Sequence, residues 1–215
     1  MTAVATPIPA SAADALAGRT VLVTGAHGGL GAEAAKACAR AGATVVLLGR
    51  RVPKLGRVYD AIRAIGPEPA LYPLDLAGAS PGNSAAQCST PCSAPWLLTQ
   101  ACLPHLRAAG DSAVVFVTDD PARVGKAYWG AYGIAKHGLA ALVRQLAAET
   151  RASGVRVAGL EPGPMRTDLR ARAYCDEAQL RVPGPAAYAP AAVHLLSPAG
   201  IAHRGQVWAP RAATP

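Results

Sequence analysis

Apolar residues gather in short runs separated by glycine and by stretches of helical pattern, and over the first third of the chain the alternation is regular. Thr20 to Thr24 (TVLVT) is apolar and β-branched, the pattern of a strand buried on both faces. Glycine-rich residues 25–31 follow, and alanine-dominated Ala32 to Ala41 predicts a helix stopped by Gly42. Ala43 to Leu48 predicts a second buried strand, Val52 to Ile65 a helix ended by Gly66-Pro67, and Ala70 to Leu76 a weaker third strand. Strand and helix alternating at this spacing imply a parallel sheet with right-handed crossovers.

Residues 77–95 break the pattern: they are small and polar and carry Pro81, Pro91 and Pro95. Order resumes with a helix at 96–109, a strand at Ala113 to Thr118, a long helix from Ala131 to Arg151 and a strand at Val155 to Leu160. A loop at 161–184, a helix from Pro185 to Leu196 and a short strand at Gly205 to Trp208 complete the pattern. The implied fold class is α/β, a Rossmann-like doubly wound parallel sheet in a single domain. A crossover helix, a strand and two connections need at least about 20–25 residues, so the strand-4 region is expected to be shortened or missing. Residues 1–18, rich in Ala and Pro, are expected to form a flexible lead-in, and 19–215 the domain itself.

Composition narrows the partners. Hydrophobic residues make up 51% and charged residues 16%, which suits a packed globule whose core, with 5% aromatics, is filled by Ala, Val and Leu. No apolar run approaches the roughly 20 residues that cross a bilayer, and the first residues lack a basic start; the expectation is no membrane partner and a cytoplasmic location. Five scattered cysteines, Cys38, Cys88, Cys92, Cys102 and Cys175, form neither a disulfide framework nor a metal set, so no metal is expected. The net charge of +8 is spread along the chain with no basic run longer than Arg50-Arg51 and no basic segment interleaved with aromatics, which argues against nucleic acid.

The turn after the first strand reads Thr24-Gly25-Ala26-His27-Gly28-Gly29-Leu30-Gly31, and it opens a helix. In that context the glycines have separate reasons: Gly25 for the tight exit, Gly29 for close approach of a pyrophosphate, Gly31 for packing of helix on sheet. The helix N-terminus presents backbone N–H groups and roughly half a positive charge to the phosphates. The place at the end of the second strand where an acid would bind a ribose 2′-hydroxyl holds Arg50 and Arg51 instead. A guanidinium forks onto a 2′-phosphate, so NADP is expected in preference to NAD, unless both arginines are simply solvated surface charges.

Tyr132 and Lys136 lie four apart at the start of the long helix and share a face. An ammonium beside a phenol favours the phenolate, which suits the pair to pass a proton to or from a carbinol oxygen during hydride transfer with a nicotinamide.

With these residues the sequence resembles the short-chain dehydrogenase/reductase family from Thr20 to about Trp208, leaving out 77–95, and TVVLLGR and WGAYGIAK are most similar to its YciK-like bacterial members. The resemblance implies interconversion of an alcohol and a carbonyl substrate with NAD(P), in homodimers or homotetramers. It assigns Thr24, Gly25, His27, Gly28, Gly29, Leu30 and Gly31 to the cofactor, with Asp75 and the neighbouring Leu76 at the adenine. Pro162, Gly163 and Thr167 would hold the nicotinamide amide, and Tyr132 and Lys136 would serve both cofactor and catalysis.

The chain departs from that family at three places. Where the family has a serine thirteen residues before the tyrosine, this chain has Asp119, within Thr118-Asp119-Asp120. An ionised Asp119 would oppose Lys136, and only a protonated one could donate as the serine does. The family's asparagines have no counterpart, because Asn83 is the sole asparagine. The fourth strand has no apolar run to build it. Two functions are therefore open: an NADP-linked oxidoreductase using Tyr132, Lys136 and Asp119, or a catalytically impaired nucleotide-binding protein of the same fold. Arg166, Arg170, Arg172 and Arg181 in the following loop would attract an acidic substrate, or are solvated.

Overall fold

The computed structural model describes residues 7–10, 12–75, 93–174 and 182–211. Leu76, Asn83, Pro91, Cys88, Cys92, Cys175 and Arg181, with most of the stretch expected to lack strand four, lie outside the described residues. The architecture is Rossmann-like α/β, built from two parallel three-stranded sheets in two compact units.

The first unit takes in Met1–Asp75, Pro162–Ser197 and Pro210–Pro215. Its sheet runs β1 (Thr20–Thr24), β2 (Thr44–Gly49), β3 (Ala70–Pro73) in that order, all parallel. Val45, Leu47 and Leu48 of β2 are buried, as expected of a central strand of β-branched and aliphatic residues, whereas β3 is largely exposed and β1, expected to be buried on both faces, buries Val21 but leaves Leu22 41% exposed. Helix α1 (Gly29–Arg40) lays Ala32, Ala35, Cys38 and Ala39 into the core, and helix α2 (Val52–Arg63) contributes Leu55, Val58 and Ile62. Alanine's small side chain lets α1 lie close to its neighbours. Helix α1 starts three residues earlier than the alanine run predicts, because the glycines at 29 and 31 are already helical. The expected lead-in is anchored at its end: Leu16 is fully buried in this core, and its amide donates to Ala41 O at 2.8 Å.

The second unit takes in Leu76–Glu161 and Pro198–Ala209. Here α3 (Ser93–Ala108) precedes β4 (Ser112–Val117), and the short α4 (Pro121–Val124) and long α5 (Gly130–Glu149) lead to β5 (Val155–Leu160). Strand β5 is buried along its whole length and pairs in parallel with β4 on one side and β6 (Val207–Trp208) on the other. Phe116, Leu139, Val143, Leu146, Val155 and Val157 form the core. A 3₁₀ turn at Pro198–His203 precedes β6.

The predicted loop at 161–184 contains, in the first unit, helix α6 (Asp168–Ala173), started by Thr167, whose hydroxyl oxygen accepts the Arg170 amide at 3.2 Å. The helix expected at 185–196 is a 3₁₀ turn, Pro185–Tyr188, running into α7 (Ala189–Leu196).

Candidate active site

In the first unit the chain leaves β1 through Gly25, at φ +63°, and enters α1 through Gly29, at φ +56°, both left-handed conformations that favour glycine. A Cβ on Gly31 would meet Gly25 O at 2.5 Å, so the first turn of α1 rests directly on the strand exit. No side chain caps α1 and no acid stands in its first turn, which leaves its N-terminal amides facing outward with the positive end of the helix dipole. Gly29 and Gly28 carry no side chain over this spot, and the nearest side-chain atom to a Cβ on Gly29 would be Thr167 Cγ2, at 3.6 Å. The concavity that two glycines leave, at a helix N-terminus, fits a diphosphate.

His27 turns from this loop toward the end of β2. Its Nδ1 is buried without a hydrogen-bond partner among the described residues and lies 2.6 Å from where a Cβ on Gly49 would stand. Only glycine at 49 admits the ring. Burial, with Arg51, Arg50 and Lys54 adding positive charge, holds the His27 pKa below the ordinary histidine value. Arg50 leaves β2 and Arg51 precedes α2, both exposed. Arg50 lies 3.8 Å from Asp75, and Lys54 3.6 Å from Asp168. Arg50, Arg51 and Lys54 make a cationic rim beside the glycine turn, donors of the kind that would hold a 2′-phosphate.

Pro162 and Gly163 are buried, and Gly163 is fixed from below by Tyr188, whose hydroxyl would stand 2.3 Å from a Cβ there and donates to Pro164 O at 3.4 Å. Thr167 spends its hydroxyl oxygen on capping α6. Neither Tyr188 nor Lys54 is singled out by a sequence motif, since one acts through packing and the other through position on α2.

In the second unit, Asp119 follows β4 and Tyr132 and Lys136 stand on α5. The Tyr132 hydroxyl donates to Asp119 Oδ2 at 2.8 Å, and the Lys136 ammonium lies 5.5 Å from the Tyr132 ring centroid and donates to Val117 O at 2.8 Å. Burial lowers the Lys136 pKa from the ordinary lysine value, and the charge of Asp119 partly offsets this. Thr118 faces elsewhere: it is buried and its hydroxyl donates to Leu160 O at 3.3 Å. Asp120 caps α4, accepting the Ala122 amide at 2.9 Å. The short helix so started brings the Arg123 guanidinium onto Asp119 Oδ1, which also accepts the Asp120 amide at 2.8 Å. Sequence reasoning missed Arg123, although its spacing of four from Asp119 was a signal. Among the described residues no group of three or more His, Cys, Asp or Glu side chains gathers as for a metal ion.

A turn of this kind after a parallel strand, with a Tyr-x-x-x-Lys pair on the long helix, defines a class. Residues 19–87 match the family described as short chain dehydrogenase, and residues 75–207 the family described as enoyl-(acyl carrier protein) reductase. The chain belongs to the short-chain dehydrogenase/reductase family. It is 32% identical to the uncharacterized oxidoreductase YciK of Escherichia coli K12, across 85% of this chain and 88% of that protein. That alignment spans 222 positions, more than the 215 residues here, so YciK carries stretches with no counterpart, in keeping with the internal deletion expected above. The solved structure of yciK from E. coli superposes with a TM-score of 0.84 at 28% identity, covering 95% of this chain and 98% of that one. A short chain dehydrogenase of Shigella flexneri complexed with NADP superposes with a TM-score of 0.83 at 30% identity, covering 92% and 99%.

Proposed function

We propose that the protein is an NADP-preferring oxidoreductase that interconverts an alcohol and a carbonyl compound. The observation that carries this reading is the glycine cradle at 25–31 with its cationic rim of Arg50, Arg51 and Lys54. Backbone amides of the first turn of α1 would hold the diphosphate, and Arg50 would exchange Asp75 for a 2′-phosphate. That the Shigella relative was solved with NADP supports the choice of cofactor. When bound, the nicotinamide supplies or accepts the hydride. Tyr132 moves the accompanying proton at its hydroxyl oxygen, and Lys136 stabilises the phenolate that donation leaves behind. No described helix is long and apolar enough to cross a membrane. The free thiols of Cys38 and Cys102 support a reducing, cytoplasmic setting.

A second reading, nucleotide binding with little turnover, is favoured by one contact: the Tyr132 hydroxyl is already committed to Asp119. Titrating NADPH and NADH against the full chain, following nicotinamide fluorescence, and then offering a panel of ketones and aldehydes separates the two. The oxidoreductase reading expects NADPH to bind more tightly and to be oxidised with at least one carbonyl. Binding without oxidation selects the second reading, and binding of neither removes both.

A further inference from the structure

We propose that Arg123 is a positioning residue for the reaction: it neutralises Asp119 and holds it on Tyr132, so that an acid stands in the family's serine place without cancelling Lys136. The inference rests on the oxidoreductase reading above. Asp119 Oδ1 takes the Arg123 guanidinium and the Asp120 amide, which fixes the carboxylate with Oδ2 toward the Tyr132 hydroxyl, 2.8 Å away. The pair is shielded from solvent, with side-chain exposures of 25% for Arg123 and 12% for Asp119, so water screens it little. Among the described residues, the charged groups gathered at the phenol include one carboxylate, one guanidinium from α4 and one ammonium from α5. Their net charge equals that of a serine and a lysine alone.

The charge balance matters at one moment. In reduction the Tyr132 O–H bond breaks and its proton passes to the carbonyl oxygen, while the carbonyl carbon receives hydride from the reduced nicotinamide. Tyr132 is left as a phenolate and regains a proton from water. With Arg123 present that phenolate faces a neutralised acid. Without it, the carboxylate and phenolate repel, and the carboxylate holds the phenolic proton more tightly.

The test is a double-mutant cycle in the full chain, with NADPH and a carbonyl compound that the wild type reduces. Arg123→Gln should lower kcat about tenfold while the KM for NADPH stays within about twofold, and Arg123→Lys should recover most of the loss. In an Asp119→Ser background the loss caused by Arg123→Gln should shrink to about twofold, because the charge to be neutralised is gone. A second readout needs no turnover: the phenolate absorbance of Tyr132, taken as wild type minus Tyr132→Phe, should appear at higher pH after Arg123→Gln, and should move less in the Asp119→Ser background, where the guanidinium is no longer held beside the phenol. Equal losses in both backgrounds, or an unchanged phenol titration, would overturn the proposal. If no carbonyl is reduced by the wild type or by Asp119→Ser, the oxidoreductase reading falls, and the titration still decides whether Arg123 sets the charge at Tyr132.

Discussion

The Tyr132 hydroxyl donates its proton to Asp119 Oδ2 at 2.8 Å, across thirteen positions of sequence. A hydrogen bond to a charged acceptor contributes about 1.5–3 kcal/mol, and Tyr132 must give it up to offer its proton to a carbonyl. Replacing Asp119 by Ser removes the anion and restores a hydroxyl that can donate to the substrate oxygen. The expected outcome is a rise in kcat for carbonyl reduction of about tenfold or more, with NADPH affinity unchanged. An unchanged or lower rate in steady-state assays would show that Asp119 does not restrain Tyr132.

Arg50 offers a second test. Its present partner, Asp75, lies 3.8 Å away with both side chains about half exposed, a pairing that contributes little in water. Arg50→Ala should therefore leave folding intact and weaken NADPH by about tenfold to a hundredfold, the range of one charge-assisted contact, while NADH is nearly unaffected. Equal losses for the two nucleotides, measured by fluorescence titration, would remove the 2′-phosphate role.

The extent to which these features could be read beforehand follows from how local each one is. Strands β1 and β5 were legible to the residue, since a β-branched apolar run between turn residues has few other solutions. The glycine turn was legible because each glycine answers a backbone requirement. Leu16 was not: its burial depends on the Ala41 carbonyl, a partner distant in sequence, and nothing in Ala15-Leu16-Ala17 announces it. Nor was α6, whose one apolar residue within Asp168-Leu169-Arg170-Ala171-Arg172-Ala173 beyond alanine is exposed and gives no period to follow. Asp119 was foreseen at the serine place, either ionised against Lys136 or protonated, but its contact with Arg123 was not, because that partner comes from α4, a four-residue helix too short to leave a hydrophobic pattern.

His27 should make nucleotide binding depend on pH. Its folded pKa lies below the ordinary value, first through burial and then through Arg51, Arg50 and Lys54. Unfolded chains therefore bind more protons than folded ones as the pH falls below about 6.5, and the free protein loses stability in that window. A 2′-phosphate brings negative charge to the same rim and raises the pKa, so NADPH binding takes up a proton. Wild type should keep more of its NADPH affinity than His27→Gln as the pH drops from about 7 to 5.5, and should lose more apo stability over the same range. Parallel pH profiles of affinity and of thermal unfolding for the two proteins would sink this assignment.

Tyr128 is the one non-glycine described residue with positive φ, +73°, and its side chain is fully exposed. A left-handed conformation costs an ordinary residue about 1–2 kcal/mol, and asparagine tolerates it better. Tyr128→Asn should raise the unfolding free energy by about 1 kcal/mol in urea titrations. A loss of stability would mean that the exposed ring makes a contact that offsets its backbone strain.

The contact between Lys136 and Val117 has a consequence for lineages in which this chemistry has lapsed. The Thr118 amide donates to Leu160 O of β5 at 2.8 Å, so the carbonyl of the same peptide unit, that of Val117, points away from β5, and Lys136 supplies its donor. The lysine thus supplies a strand carbonyl with its donor as well as lying beside the Tyr132 ring. Drift that erases turnover would leave this duty in force, and descendants that no longer reduce anything would still be expected to retain their lysine. A surviving lysine at this place in such a lineage is a record of folding as much as of catalysis.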